Sequence, residues 1–296
     1  MTSIKRRAFL RTAGAALAPM GALGPWHALG NESRKPPWKR AFMLGGLSKG
    51  SPRATFQLLK EAGFEGVELI SPNELDLHDV LKARDATGLV IHGVSGARHW
   101  KDPLSDPDPE VVARGMEAIR REFLDCKAYG GTTVLVVPAV VNRKVSYRDA
   151  YKRSQENIRK LIPEAQAQGV KIAIEEVWNK FLLSPLEMAH YLDEFQTPWI
   201  RAYFDIGNVA IAGYPQDWIR TLGKRIAKLH VKDFSFKKRL AEFTPLLEGE
   251  IDWKAVHGAL AEIGYQGTAT VELSGGNGEY LKEVNHRFEK ILSGDV

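Results

Sequence analysis

Short runs of apolar residues alternate along the chain with longer stretches in which apolar side chains recur every three or four positions. Short apolar runs are typical of buried strands, and the longer periodic stretches are typical of amphipathic helices. We predict eight strands, at residues 41–44, 66–70, 89–94, 133–137, 170–176, 200–206, 226–231 and 268–273. A helix follows each strand, near residues 52–62, 74–87, 108–129, 147–168, 184–196, 215–224, 252–264 and 277–293. This alternation predicts a parallel sheet with right-handed crossovers.

Glycines and Ser-Pro pairs mark the ends of several predicted helices. Glycine is favoured directly after a helix because it adopts the left-handed conformation without steric cost. The glycines that follow predicted helices are Gly63, Gly88, Gly130, Gly169 and Gly264. Ser51-Pro52 and Ser184-Pro185 have the order of an N-cap residue and a proline in the first helical turn. These signals support the boundaries of the repeating units.

The number of units favours a closed barrel over an open sheet. Eight strand-and-helix units fall within residues 40–296, and a (β/α)8 barrel holds eight such units in about 250 residues. An open sheet usually carries a G-x-G-x-x-G fingerprint after its first strand. Residues 44–50 (LGGLSKG) lack that spacing, and the sequence contains no P-loop pattern. We therefore predict the α/β class, with a single (β/α)8 TIM barrel at residues 40–296.

Four residues that can bind a metal lie at the ends of four predicted strands: Glu175, Asp205, His230 and Glu272. They are spaced by 30, 25 and 42 residues, about the length of one strand-and-helix unit. A parallel strand that is buried on both faces is normally an almost unbroken apolar run. The carboxyl ends of barrel strands meet at one mouth, where active sites are built. We therefore expect these four side chains, the strand-end quartet, to meet at that mouth.

The residue types of the quartet indicate a metal site. Three nearby carboxylates raise one another's pKa unless a cation neutralises them. Oxygen ligands with one imidazole suit Mn, Mg, Co or Zn, and ligand type alone does not choose among these ions. The alternative is that each acid pairs with a local Lys or Arg. Glu176 competes with Glu175 for the inward position, but side chains alternate along a strand, and Glu175 shares its side with the small Ala173.

The order and context of these residues resemble a known superfamily. Its matching segments are Glu175, Asp205-Ile206-Gly207-Asn208, His230-Val231-Lys232-Asp233 and Glu272. Together they resemble the xylose-isomerase-like sugar (phosphate) isomerases and epimerases, over roughly residues 40–292. The resemblance implies that the quartet binds one divalent metal ion. Sugar 3-epimerases of this kind commonly have His three residues after the metal-binding Asp, whereas this chain has Asn208, which weighs against an ordinary ketose 3-epimerase.

The implied chemistry is proton movement next to a carbonyl group. The metal would stabilise an enediolate as a Lewis acid, and Glu175 and Glu272 would move the carbon-bound proton. Returning the proton to the opposite face gives epimerisation, and returning it to the adjacent carbon gives isomerisation. Loss of a β-substituent instead gives elimination. The sequence leaves all three reactions open.

Six further residues are candidates for substrate binding. They are Glu68, His92, Trp178, Asn179, Asn208 and Lys232. His92 is expected to end the third strand, in Val90-Ile91-His92-Gly93, and to point into the mouth. The alternatives are a satisfied packing role for His92 and a salt bridge to Asp233 or Asp205 for Lys232. The pair His99-Trp100 follows the third predicted strand and could cover the site.

The first 30 residues differ in charge from the rest of the chain. Lys5, Arg6, Arg7 and Arg11 contribute +4 of the net charge of +5, and no acid accompanies them. Paired arginines before Phe-Leu and a short apolar stretch resemble a twin-arginine signal peptide, although a merely basic N-terminus is the alternative. We predict a signal peptide at residues 1–30, a linker at 31–39, and a periplasmic or otherwise exported protein. The apolar stretch is too short for a stable membrane anchor.

Two functions agree with these observations, and two others are disfavoured. The first is a metal-dependent isomerase or epimerase of a sugar or keto-sugar, and the second is a lyase or dehydratase of 3-keto-glycosides or keto-inositols. A DNA-repair endonuclease is disfavoured because the charge outside the first 30 residues is only +1, too small for a nucleic-acid partner. A non-catalytic carbohydrate-binding barrel is disfavoured by the complete quartet. The expected partner is a small carbohydrate, and a homo-oligomer remains open.

Overall fold

The structure is a computed structural model that describes residues 38–45, 52–237 and 242–296. The predicted signal peptide and residues 31–37 of the predicted linker lie outside the described residues, as does Ser51, so their assignments stay predictions. Within the described ranges, no helix has the length and apolar character needed to cross a membrane.

Strands and helices alternate as the sequence predicts. The barrel strands are β1 (Lys39–Leu44), β2 (Gly66–Ser71), β3 (Val90–Gly96), β4 (Thr133–Val136), β5 (Lys171–Glu175), β6 (Ile200–Asp205), β7 (Ile226–Val231) and β10 (Thr268–Val271). A two-stranded antiparallel hairpin, β8 (Asp233–Ser235) and β9 (Glu242–Thr244), follows β7. The helices are α1 (Pro52–Glu61), α2 (Leu77–Thr87), α3 (Pro109–Tyr129), α4 (Tyr147–Gln168), α5 (Pro185–Asp193), α6 (Ile206–Val209), α7 (Pro215–Leu222), α8 (Trp253–Glu262) and α9 (Gly278–Ser293).

Eight parallel strands close into one barrel. The strands lie in chain order from β1 to β7, and β10 completes the ring between β7 and β1. The register places Asp205 of β6 beside His230 of β7, and Thr270 of β10 beside the same histidine. The predicted single (β/α)8 TIM barrel is confirmed.

The barrel wall separates two cores of different character. Side chains on the outer face, such as Ile172 and Ile174, pack against the helices. On the inner face, Ala173 packs with Leu135 and Tyr203 in a separate small cluster. Since Glu175 has the parity of Ala173, this alternation turns it towards the interior.

Helix ends follow the glycine signals. All five glycines named above have a positive φ. Gly130 has a φ of 85° and donates its N–H to the carbonyls of Cys126 and Lys127, which ends α3. Ser184 is the N-cap of α5 and accepts a hydrogen bond from the Glu187 N–H.

Several details of the barrel differ from the sequence-based expectation. Trp38 is buried and donates its Nε1–H to the Tyr265 carbonyl at 2.7 Å, and Lys39 begins β1. The last two residues of the predicted linker therefore belong to the barrel. β3 continues to Gly96, beyond the predicted end at residue 94, because the residues from Gly93 to Gly96 pair with β2. Helix α6 and the β8–β9 hairpin were not predicted, since segments of three or four residues are too short to show a period.

Cys126 offers a simple test of how tightly α3 packs on the barrel. Its side chain is fully buried and Sγ lies 3.4 Å from the Thr133 carbonyl. Burial raises the pKa of this thiol to about 12, so its thiolate fraction at pH 8 is on the order of 10⁻⁴. We expect iodoacetamide to leave the folded protein unlabelled at pH 8 and to label it fully in denaturant, as measured by mass spectrometry. Rapid labelling without denaturant would contradict this packing.

Candidate metal centre and active site

The strand-end quartet meets at the carboxyl end of the barrel. Each of its four members offers one ligand atom, and these atoms all lie within 4.8 Å of one another. His230 is central: its Nδ1 lies 2.8 Å from Glu175 Oε1, 3.1 Å from Glu272 Oε2 and 3.8 Å from Asp205 Oδ2. Three members are buried, whereas the Glu272 side chain is 32% exposed. The cluster therefore opens to solvent on the Glu272 side.

The ends of neighbouring strands explain this convergence. Glu175 and Asp205 are the last residues of β5 and β6, and His230 is the penultimate residue of β7. Glu272 directly follows β10, and its N–H donates to the Val231 carbonyl at 3.2 Å. That hydrogen bond continues the parallel pairing of β7 and β10 by one residue, which brings the Glu272 side chain beside His230.

Burial and mutual charge determine the protonation of the quartet. Burial raises the pKa of Glu175 to about 7 and also raises the pKa of Asp205. Burial opposes charge on His230, but the carboxylates of Glu272, Glu68 and Glu175 raise its pKa well above the usual value. Burial likewise opposes charge on Glu272, yet His230 and Lys232 lower the pKa of that carboxyl. Around the imidazole, the ionised form is therefore favoured for Glu272 and disfavoured for Glu175 and Asp205.

Lys232 supplies a buried positive charge at the same mouth. Its Nζ lies 2.9 Å from Asp205 Oδ2 and 2.8 Å from Glu272 Oε2. Burial disfavours the ammonium, but these two carboxylates raise the pKa of Lys232 above its usual value. Of the two predicted salt-bridge partners, Asp205 is the one that Lys232 contacts. Asp233 instead accepts hydrogen bonds from the Trp253 indole and the Gly249 N–H.

The donor atoms of the quartet fit a divalent cation. Three carboxylates and one imidazole offer ligand atoms that all lie within 4.8 Å of one another. Asp205 Oδ2 is fully buried and contacts the Lys232 ammonium, but it accepts no hydrogen bond of good geometry among the described residues. Mixed carboxylate and imidazole ligands are used for Mn, Mg, Co and Zn ions. These residues could therefore hold one divalent metal ion.

Glu176, which follows Glu175 in the sequence, forms a hydrogen bond with the backbone of Asp205. Its Oε1 accepts a hydrogen bond from the Asp205 N–H at 2.8 Å. The Asn208 side chain donates to the Glu176 carbonyl at 2.9 Å, and the Asn208 N–H donates to Asp205 Oδ1 at 2.8 Å. Asn208 therefore points towards the backbone that follows β5. Glu176 appeared in the sequence only as the rival of Glu175, and its contact with Asp205 required the packing of β5 against β6.

Glu68 and His92 lie deeper in the barrel than the quartet. Glu68 Oε1 is 3.3 Å from His230 Nε2, and Glu68 Oε2 accepts a hydrogen bond from the Tyr203 hydroxyl. His92 Nε2 lies 3.0 Å from Thr270 Oγ1 and 3.7 Å from Glu68 Oε2. The expectation that His92 ends its strand at the mouth is therefore wrong, because β3 runs four residues further. Its surroundings match the alternative of an interior packing histidine, with Nε2 beside Thr270 and Nδ1 without a hydrogen-bond partner among the described residues.

Trp178 lies at the rim beside the hairpin. Its side chain is 46% exposed and stacks on Phe243, with ring centroids 4.7 Å apart and planes inclined by 19°. Its indole N–H donates to the Asn208 carbonyl at 3.0 Å. The neighbouring Asn179 is buried, and its side chain forms hydrogen bonds with backbone groups. It donates to the Ala139 carbonyl and accepts from the Phe181 N–H. Of these two predicted sugar contacts, only Trp178 presents an open surface.

His99 approaches the mouth from the loop after β3. Burial lowers the pKa of His99 to about 4, although the charge of Glu272 acts to raise it. Its ring packs edge-on to the half-exposed Trp100, with centroids 5.5 Å apart. This arrangement is consistent with the predicted position of the pair near the site.

Comparisons with known proteins place this barrel in a family. Among curated relatives, L-ribulose-5-phosphate 3-epimerase UlaE of Escherichia coli O1:K1 / APEC is 25% identical over 234 residues, covering 73% of this chain and 80% of the relative. A structure of L-ribulose 3-epimerase superposes with a TM-score of 0.73 at 18% identity, covering 86% of this chain and 94% of the other. The apo form of 3-keto-D-glucoside 4-epimerase, YcjR, from E. coli superposes with a TM-score of 0.70 at 17% identity, covering 84% and 98%. The family model described as "Xylose isomerase-like TIM barrel" matches residues 56–290. The chain therefore belongs to the xylose isomerase-like TIM barrel family.

Proposed function

We propose that this protein is a metal-dependent sugar epimerase or isomerase that moves a proton next to a carbonyl group. The observation that carries the proposal is the convergence of Glu175, Asp205, His230 and Glu272 on one centre at the barrel mouth. Two of these residues are glutamates that approach the centre from different strands. The arrangement supplies both a cation site and two groups able to exchange protons with a bound sugar.

The two glutamates perform the proton transfer in this proposal. One carboxylate removes the proton from the carbon beside the carbonyl, and the electron pair of that C–H bond moves towards the carbonyl oxygen. The same or the other glutamate then gives a proton back. Return to the opposite face of the same carbon gives an epimer. A divalent cation, when bound, stabilises the negative charge on the sugar oxygens as a Lewis acid.

Other side chains at the mouth orient the sugar in this proposal. Lys232 places an ammonium beside Glu272, where it can also donate to a sugar oxygen. The stacked Trp178 and Phe243 supply an aromatic wall next to this ammonium, since the Lys232 Nζ lies 4.6 Å from the Phe243 ring centroid. Sugar C–H faces pack well against such rings. We assign these three residues to substrate binding.

The named relatives support epimerisation over elimination. Several are 3-epimerases of ketoses or of ketose phosphates, and one is a 3-keto-D-glucoside 4-epimerase. No lyase is among these names, so the lyase alternative is not favoured. We infer a keto-sugar substrate, free or in a glycoside, and Mn, Mg, Co or Zn as the metal. The twin-arginine pattern supports export to the periplasm as a further proposal.

Solvent exchange provides the test of this function. The full chain, loaded in turn with Mn, Mg, Co or Zn ions, is incubated in deuterium oxide with D-allulose, L-ribulose or a 3-keto-glucoside. We expect deuterium at the inverted carbon of the epimer, followed by NMR. Elimination products or released aglycone without an epimer would transfer the protein to the lyase class. Absence of exchange with every ion and sugar would contradict the proposal.

A further inference from the structure

We propose that Glu68 is a positioning residue that orients His230 for metal binding, a role that rests on the metal-dependent function proposed above. Glu68 belongs to β2, whereas His230 belongs to β7. The two side chains meet inside the barrel, beneath the quartet. Glu68 is fully buried, and His230 is 1% exposed.

Two unpartnered polar atoms face each other at this contact. Glu68 Oε1 and His230 Nε2 lie 3.3 Å apart. Among the described residues, neither atom has a hydrogen-bond partner of good geometry. Leaving a buried donor or acceptor unsatisfied destabilises the folded state. A small rotation of the imidazole that aligns an Nε2–H with Glu68 Oε1 satisfies both atoms at once.

The rest of the network prevents Glu68 from turning away. Its other oxygen, Oε2, accepts a hydrogen bond from the Tyr203 hydroxyl. That hydroxyl lies 3.3 Å from Thr270 Oγ1, which in turn lies 3.0 Å from His92 Nε2. With Oε2 held by Tyr203, Oε1 is directed at His230. The carboxylate is thus fixed by contacts that do not involve the mouth.

A hydrogen bond from His230 Nε2–H to Glu68 Oε1 decides which ring nitrogen carries the proton and which is free to bind the metal. A metal-bound histidine commonly donates its other ring N–H to a carboxylate, which determines both tautomer and orientation. An N–H on Nε2 leaves the Nδ1 lone pair directed at Glu175, Asp205 and Glu272. The competing tautomer would place a proton on Nδ1, where it would donate to Glu175 Oε1 at 2.8 Å and block a metal ion. Glu68 favours the tautomer that can bind metal.

The substitution Glu68→Gln tests this role while retaining the side-chain shape. Glutamine has one oxygen for two donors, the Tyr203 hydroxyl and the His230 Nε2–H. We expect the affinity for Zn²⁺, measured by competition with a chelating dye, to fall about 10- to 100-fold. The matched control is Glu122→Gln, which changes another buried glutamate, on α3, that does not contact the quartet. We expect that control to bind within threefold of the unchanged protein.

Nitrogen NMR gives a readout that a general loss of stability would not produce. In the Zn-loaded protein with ¹⁵N-labelled histidine, we expect the His230 signal, assigned with His230→Gln, to show a proton on Nε2 and none on Nδ1. Tyr203→Phe, which releases Glu68 Oε2, serves if Glu68→Gln does not fold, and we expect it to weaken binding about threefold to tenfold. Wild-type affinity in the variants, or metal bound through Nε2, would overturn the proposal. The metal-binding measurements contain no sugar, so they test the role of Glu68 independently of catalysis. Tight metal binding that depends on Glu68, together with no deuterium exchange into any sugar, would reject the proposed function but not the role of Glu68.

Discussion

The substitution Glu272→Gln is expected to lower the rate of deuterium exchange into the sugar at least ~100-fold, since general acid–base groups contribute about 10²–10⁴ to rate. Glu272 is the member of the quartet that reaches solvent, with its side chain 32% exposed, so it can touch a bound sugar. Its Oε2 also lies 3.1 Å from His230 Nδ1 and 2.8 Å from Lys232 Nζ. The amide cannot accept a proton from carbon, and it is a weaker ligand for a hard cation.

The measurement separates these two losses. Exchange is followed by NMR at saturating Mn²⁺, and metal affinity is determined in the same preparations. We expect exchange to remain low even when the metal site is filled, because the proton acceptor is missing. The control Glu279→Gln changes an exposed glutamate in the first turn of α9 and should retain full exchange. An exchange rate above a tenth of the original in the Glu272 variant would reject its role in proton transfer.

Removal of the Lys232 charge is expected to destabilise the metal-free protein by about 3 kcal/mol, because breaking a buried ion pair leaves charge uncompensated. The Lys232 ammonium contacts Asp205, which is fully buried, and Glu272, which is partly exposed. Solvent can relieve the charge on Glu272 but not that on Asp205. The substitution Lys232→Met retains most of the apolar length of the side chain and removes the ammonium group.

A divalent cation should reverse most of this loss. An ion held by the quartet replaces the missing positive charge, and ligand binding to the folded state adds stability by mass action. We therefore expect Mn²⁺ to raise the thermal midpoint of the Lys232→Met variant by more than it raises that of the unchanged protein. Lys254→Met, on the exposed face of α8, serves as the control. Equal stability of the Lys232 variant and the control without metal would refute the electrostatic argument.

Local sequence signals were sufficient for the architecture. The apolar runs and helical periods predicted all eight barrel strands, and the glycines predicted five helix ends, because each depends on a few adjacent residues. Errors occurred where an element depends on contacts with residues that are distant in the sequence or lacks a clear local pattern. Trp38 was assigned to the linker, although its indole bonds to Tyr265, which is 227 positions away. His92 was placed at a strand end because the residues after it in β3 lack a strong apolar pattern.

The candidate site divides in the same way. A polar residue at the end of an apolar run is visible in the sequence, so the members of the quartet could be named individually and expected at one mouth from the barrel topology. The residues that support the quartet could not be identified from the sequence. Tyr203 reads as an ordinary strand residue, yet its hydroxyl reaches Glu68, 135 positions away. Glu176 reads as the discarded neighbour of Glu175, yet it holds the Asp205 N–H.

Local patterns in the chain were enough to predict the fold class, the family resemblance and the four residues that could share a metal. Only the folded barrel shows which atoms of those residues face one another. It placed Lys232 on Asp205 and Glu272, turned Asn208 towards the backbone after β5, and put Glu68 beneath His230. The physical reason is barrel closure. Periodicity is a property of neighbouring residues, whereas the partners of an inward-facing polar group come from strands across the barrel and are chosen by distance and burial.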